Sequence, residues 1–197
     1  MFNRVVREPD IFEQLCGGKM TFKKFYLLLP LIILFPYIVL SAFICLFSNA
    51  FMDTVFKNNG LYLFLTLMII YIIAFVCSII LFITNIVFKR DSLQLLRINM
   101  IIKIIHIPAY ILIFLFGLLC LITIFSAWIT LILMVFDIIT IFLTGLTGFG
   151  GIIRGVIENK ISKKTAAIYA VLQFVFCFDV ISSILLYRKI KTAHNII

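Results

Sequence analysis

Charged positions fall in this chain so as to leave four long stretches with no Asp, Glu, Lys or Arg: 25–52, 58–88, 104–136 and 165–178. Within them Ile, Leu, Phe and Val run almost unbroken, without the alternation of a lipid-facing β-strand. Each stretch supplies the roughly 20 apolar residues that cross a bilayer, or does so once a single Asp is admitted. The pattern predicts an all-α, polytopic transmembrane helical bundle of about five spans, at 25–48, 60–87, 105–125, 128–147 and 166–187. All lie within one integral membrane domain, 1–197. The third and fourth spans share one stretch, Ile104–Leu146, which as a single helix would run about 64 Å, twice the hydrocarbon thickness. It must turn back, and Phe125-Ser126-Ala127-Trp128 is the expected turn, with Trp128 anchored at the interface.

Flanking segments read differently. Positions 1–24 mix Arg7, Glu8, Asp10 and Glu13 with Ile11, Phe12 and Leu15, a cytoplasmic or interfacial segment. The first apolar run exceeds the roughly 7–15 residues of a signal-peptide core and reads as a retained span kinked at Pro30 and Pro36. Between Ser92 and Ile107, Ser92, Asn99, Lys103 and His106 share one helical face. That face suggests a helix lying on the inner surface until Pro108 redirects it into the membrane.

A 64% hydrophobic content with 13% charged residues excludes a water-soluble domain. The net charge of +9 does not indicate nucleic acid, because the basic residues flank the apolar runs instead of forming one stripe. The lipid bilayer is the expected partner, with other membrane proteins or self-association as further candidates. With the N-terminus cytoplasmic, Lys and Arg concentrate inside, leaving Lys57, Arg188, Lys189 and Lys191 outside. The basic tail is discordant. A cytoplasmic tail would require an even number of crossings: four spans plus a re-entrant segment within Ile104–Gly151, broken near Gly145–Gly151.

Two acids carry the candidate chemistry. Asp137 shares a helix face with Ser126, Thr130, Thr140, Thr144 and Thr147, and Asp179 shares one with Ser182 and Ser183. Counted from Trp128 and Tyr187, the acids lie about 13 and 12 Å below the same surface, so antiparallel neighbours would bring them level. No Lys or Arg is expected at that level, so a proton or a bound cation must neutralise the pair. Asp137, Asp179, Thr140 and Ser183 are thus a candidate proton or cation site. The competing role is hydrogen-bonded glue between helices. Gly145, Gly148, Gly151 and Gly155 have the small-residue spacing of close helix packing. Tyr26, Tyr110, Tyr169 and Tyr187 read as interfacial anchors, His106 as an interfacial polar residue, and the intramembrane cysteines as small hydrophobes. No metal or cofactor motif is present, and no nucleophile–base constellation suggests an enzyme.

Two stretches carry a family likeness: Asn99–Phe114, and Ile161–Lys164 followed by Leu172–Ser183. They resemble an uncharacterised family of small multi-pass membrane proteins from Gram-positive, clostridia-like bacteria, over the half of the chain from Ser92 onward. The resemblance implies a bacterial plasma-membrane location and no assigned activity. The expected role is an accessory or assembly partner in the membrane. The alternative is a small proton- or cation-coupled transporter using Asp137 and Asp179.

Overall fold

The computed structural model describes residues 28–122 and 127–194, which contain seven helices and no strand. They are α1 (Leu29–Cys45), α2 (Asn49–Phe56), α3 (Gly60–Val87), α4 (Ser92–Ile122), α5 (Ala127–Ile157), α6 (Lys163–Leu172) and α7 (Phe178–His194). Local chemistry sets several boundaries. Pro30 opens α1, where a missing N–H costs nothing, and the Asn59 and Ser162 side chains cap α3 and α6 by accepting from Leu61 and Thr165 N–H. Lys57 and Asn159, in left-handed conformations, end α2 and follow α5.

Among the described residues three helices are long and apolar enough to cross a membrane: α3, α4 and α5, of 28, 31 and 31 residues. α1 and α2 qualify only together and meet at a 109° bend, so the stretch at 25–48 ends in a sharp turn. α3 coincides with the span expected at 60–87. α4 corrects the sequence reading, because residues 92–107 form no separate surface helix and continue through Pro108 in one element. Its polar face turns into the protein, where partners replace the water that a surface helix would need. α5 likewise runs unbroken through Gly145–Gly151, so no re-entrant break occurs there. Of the expected turn, Phe125 and Ser126 lie outside the described residues, while Ala127 and Trp128 open α5.

The stretch at 166–187 is not one helix. α6 stops at Leu172, five residues turn, and α7 starts at Phe178, with Cys177 at a φ of 65° in the break. The two pieces fold back on each other. Gln173, ending α6, bonds Ser183 of α7, while Ala166, near the start of α6, packs with Leu186 and Ile190 further along α7. Ile190 also lies against Gly155, and Phe174 against Gly145, so the hairpin enters and leaves at the same end of α5.

That end gathers Val87, Ser92, Ile157, Lys163 and the close of α7. α4 and α5 run antiparallel, with the Thr130 hydroxyl donating to Gly117 O at one end and Leu96 against Gly151 at the other. α3 runs beside α5, where Ser78 donates to Leu143 O and Phe82 stacks on Phe149. α1 closes the core, placing Phe35 against Tyr71 and Phe136. His106 Nε2 donates to Ile33 O at 3.1 Å, next to the Ile32 carbonyl whose helical donor Pro36 removes. Reciprocally, the Tyr37 hydroxyl donates to Ile105 O beside the carbonyl that Pro108 frees. Both prolines therefore mark where α1 and α4 exchange hydrogen bonds.

Candidate functional site: a buried ion pair and a lone acid

Asn99, Lys103, His106 and Tyr110 recur every three or four residues along α4 and line one face. The hairpin covers that face. Lys103 Nζ lies 3.2 Å from Asp179 Oδ2, with the two side chains 0% and 1% exposed. The same ammonium donates to the Gln173 carbonyl at 3.2 Å. Gln173 closes α6, and Asp179 sits in the first turn of α7. A helix C-terminus presents free carbonyls and attracts a cation, and an N-terminus attracts an anion. Lys103 thus bridges both sides of the helix break, and a polar network carries the contact onward. Asn99 Nδ2 donates to Ser183 Oγ at 3.1 Å, Gln173 Nε2 donates to the same oxygen at 3.1 Å, and Thr147 donates to Asn99 Oδ1 at 3.1 Å. Ser183 in turn donates to Asp179 O at 2.7 Å.

The structure therefore separates residues that the sequence grouped together. Asp179 and Ser183 belong to the network, whereas the Thr140 hydroxyl bonds back to Phe136 O on its own helix. The expectation that no basic residue shares the level of the acids is overturned at Asp179 by Lys103, whose polar face had suggested a helix lying on the inner surface. It lies about 16 Å along α4 from Ser92, deep in the bundle, because α4 starts at Ser92 and not near Ile105. His106 and Tyr110 are likewise buried within the bundle. The signal that would have found them is the spacing of Asn99, Lys103, His106 and Tyr110, opposite an apolar run interrupted by Asp179.

Asp137 differs from Asp179. It is partly buried, and its Oδ1 is buried with no hydrogen-bond partner among the described residues. The Tyr110 hydroxyl, too, is buried with no hydrogen-bond partner among the described residues. Asp137 shares a face of α5 with Gly148 and Gly155, the face that receives the hairpin, and the α4–α5 register puts it opposite Tyr110, level with the hairpin tip. The tip reaches Tyr110, whose ring lies 5.8 Å from Phe176. Past it the same α4 face becomes exposed: Leu96 and Lys103 are covered, whereas Phe114 is 59% and Leu121 57% exposed. Met134, one turn from Asp137, is 61% exposed.

Gly145, Gly148 and Gly155 shape the trough for the hairpin, while Gly151 seats α4. A Cβ at Gly145 would stand 2.6 Å from the Phe174 ring, and one at Gly148 2.7 Å from both Asn99 Nδ2 and Gln173 Oε1. At Gly151 and Gly155 the neighbours would be Leu96 at 2.9 Å and Ile190 at 3.0 Å. Only the absence of side chains lets the hairpin and α4 approach this closely.

A second cluster closes the end where the hairpin enters. Lys160 Nζ pairs with Asp91 at 2.7 Å and Glu158 at 2.8 Å, while Glu158 also receives Arg154 at 3.0 Å. Partial burial opposes ionisation of Asp91 and Glu158. The bonds and charge of Lys160, with Ser92 on Glu158, outweigh it and hold both carboxyls below their ordinary values. Burial also works against the charge of Lys160, but the two acids raise its pKa above the usual value. Among the described residues no group of three His, Cys, Asp or Glu could hold a metal.

No family model, curated protein or solved structure matches this chain. Residues 99–114 supply Asn99, Lys103 and His106 to the site, and residues 172–183 supply Gln173, Asp179 and Ser183.

Proposed function

We propose that this is a plasma-membrane subunit of four crossings (α1 with α2, α3, α4 and α5) plus the re-entrant α6–α7 hairpin. Its role is to assemble with another membrane protein through the face above the hairpin tip. The topology rests on charge: Lys89, Arg90, Arg154, Lys160, Lys163, Lys164 and the α7 residues Arg188, Lys189 and Lys191 share one end of the bundle. Among the described residues Lys57 alone stands at the other. By the positive-inside rule the rich end is cytoplasmic, which removes the discordance of the basic tail. The likeness to clostridia-like membrane proteins supports a bacterial setting.

One observation carries the assembly role: Asp137, only partly buried, with an Oδ1 that has no hydrogen-bond partner among the described residues, on the face of α5 where the hairpin ends. A charged acid at mid-depth costs about 2.5–3.5 kcal/mol on insertion scales, and a cation on a neighbouring helix offsets much of that. Lys103 is already committed to Asp179, so a second copy offers no exposed cation at this depth among the described residues. The fitting partner is a different chain with a Lys or Arg in mid-membrane. In liposomes, a transmembrane Leu/Ala peptide with one central Lys should associate with the wild type by fluorescence transfer, and the same peptide with Leu there should not. Asp137→Asn should erase the difference. Equal association of both peptides with the wild type would refute this role.

A proton relay is the second reading, favoured by the unpartnered Asp137 Oδ1, Tyr110 OH and Asp179 Oδ1 beside one α4 face. It predicts pH-driven flux in proteoliposomes that Asp179→Asn abolishes.

A further inference from the structure

Outside the polar core, α5 and α6 enclose a groove of about 230 Å³ that opens to the membrane. Its walls are wholly apolar: Phe149, Ile153 and Ile157 on α5, and Ala166, Ala167 and Ala170 on α6. The small alanines set the groove's depth, because larger side chains would fill it. Lys163 precedes Ala166, Ala167 and Ala170 by three, four and seven residues, so it stands on the same face of α6, one turn beyond the groove. Lys164 adjoins it. Both lysines are exposed, and no acid lies in the first turn of α6. By contrast, Lys160 at this end is neutralised by Asp91 and Glu158.

We infer that this groove binds one acyl chain of an anionic phospholipid whose headgroup phosphate is held by Lys163 and Lys164. The two halves of the site match the two halves of that molecule: an apolar groove, and at the headgroup end two exposed lysines with no acidic partner among the described residues. A zwitterionic lipid satisfies the groove and not the mouth, because its own cation repels the lysines. A soluble anion satisfies the mouth and not the groove. Bound there, the lipid wedges against the outer side of the hairpin, opposite the side that α4 holds, and is placed to steady α6. The site is independent of the assembly role of Asp137, whose substitution leaves it intact.

The test uses the delipidated full-length chain in detergent, with bound lipid counted by native mass spectrometry. Dioleoyl-phosphatidylglycerol and dioleoyl-phosphatidylcholine carry the same tails and differ only in headgroup charge. The wild type should retain the anionic lipid at least about tenfold more tightly. Lys163→Gln and Lys164→Gln should each weaken that retention roughly fivefold. Ala167→Phe, at an exposed position lining the groove, should abolish the tight site although both lysines remain. Equal retention of the two lipids by the wild type would overturn the inference. So would undiminished anionic binding in Ala167→Phe, which would mean surface charge attraction alone, or in the double Gln variant.

Discussion

Removing one partner of the Lys103–Asp179 pair is the sharpest test of the fold. In Lys103→Met the apolar replacement keeps the length of the stem, but Asp179 loses its ammonium partner at 1% exposure and the Gln173 carbonyl loses its donor. Two magnitudes compete. An interhelical hydrogen bond in a membrane protein contributes about 0.6 kcal/mol on average, because the unfolded helices also find partners. Leaving an uncompensated buried charge costs about 3–5 kcal/mol. The geometry puts Lys103 in the second class, so Lys103→Met should lose about 3–5 kcal/mol in an SDS-unfolding titration. Asp179→Leu alone should lose a similar amount. The double variant Lys103→Met/Asp179→Leu should recover most of the loss, since a matched apolar pair is neutral or better than a buried ion pair. Limited proteolysis at Lys163 and Lys164 gives a second readout: the single variants should be cut faster as the hairpin loosens. A loss below about 1 kcal/mol in Lys103→Met, or additive losses in the double variant, would refute the buried ion pair.

Further outcomes follow from the trough, the topology and the entry cluster. Gly148→Val should cost about 1–3 kcal/mol and displace the hairpin, because its Cβ would stand 2.7 Å from Asn99 and Gln173. Gly60→Ala, with nothing within 4 Å, should be neutral or slightly stabilising in the same titration. Cysteines introduced at Lys163 and Lys191 should label from the same side of intact vesicles, and one at Lys57 from the other; opposite labelling of Lys163 and Lys191 would sink the re-entrant hairpin. The carboxyls of Asp91 and Glu158 lie, when folded, below their ordinary 3.8 and 4.5. Their contribution is therefore complete above about pH 4.5 and is lost as pH falls through the lower folded values. Lys160→Met should shrink this acid-side loss in a stability–pH profile, leaving the part that Ser92 maintains at Glu158.

The sequence by itself determined the membrane setting. Charge-free runs of this length leave helices as the only backbone arrangement that satisfies its own polar groups in lipid, so α3 could be placed directly from positions 57 and 89. It also singled out Asp137 and Asp179, because a lone acid in an apolar run is conspicuous whatever surrounds it. The glycine spacing was equally legible, but not what the glycines receive. What only the tertiary structure decided is the path of the last apolar stretch. Nothing between Thr165 and Tyr187 marks a turn: no Gly, no Pro, and composition suited to one continuous span. The break at 173–177 forms because Lys103 and Asn99, more than sixty positions earlier, offer Gln173, Asp179 and Ser183 partners that a straight helix in lipid would lack. For the same reason Lys103 was misplaced. Its depth is set by where α4 begins and by what covers its polar face, and both depend on contacts between elements distant in sequence.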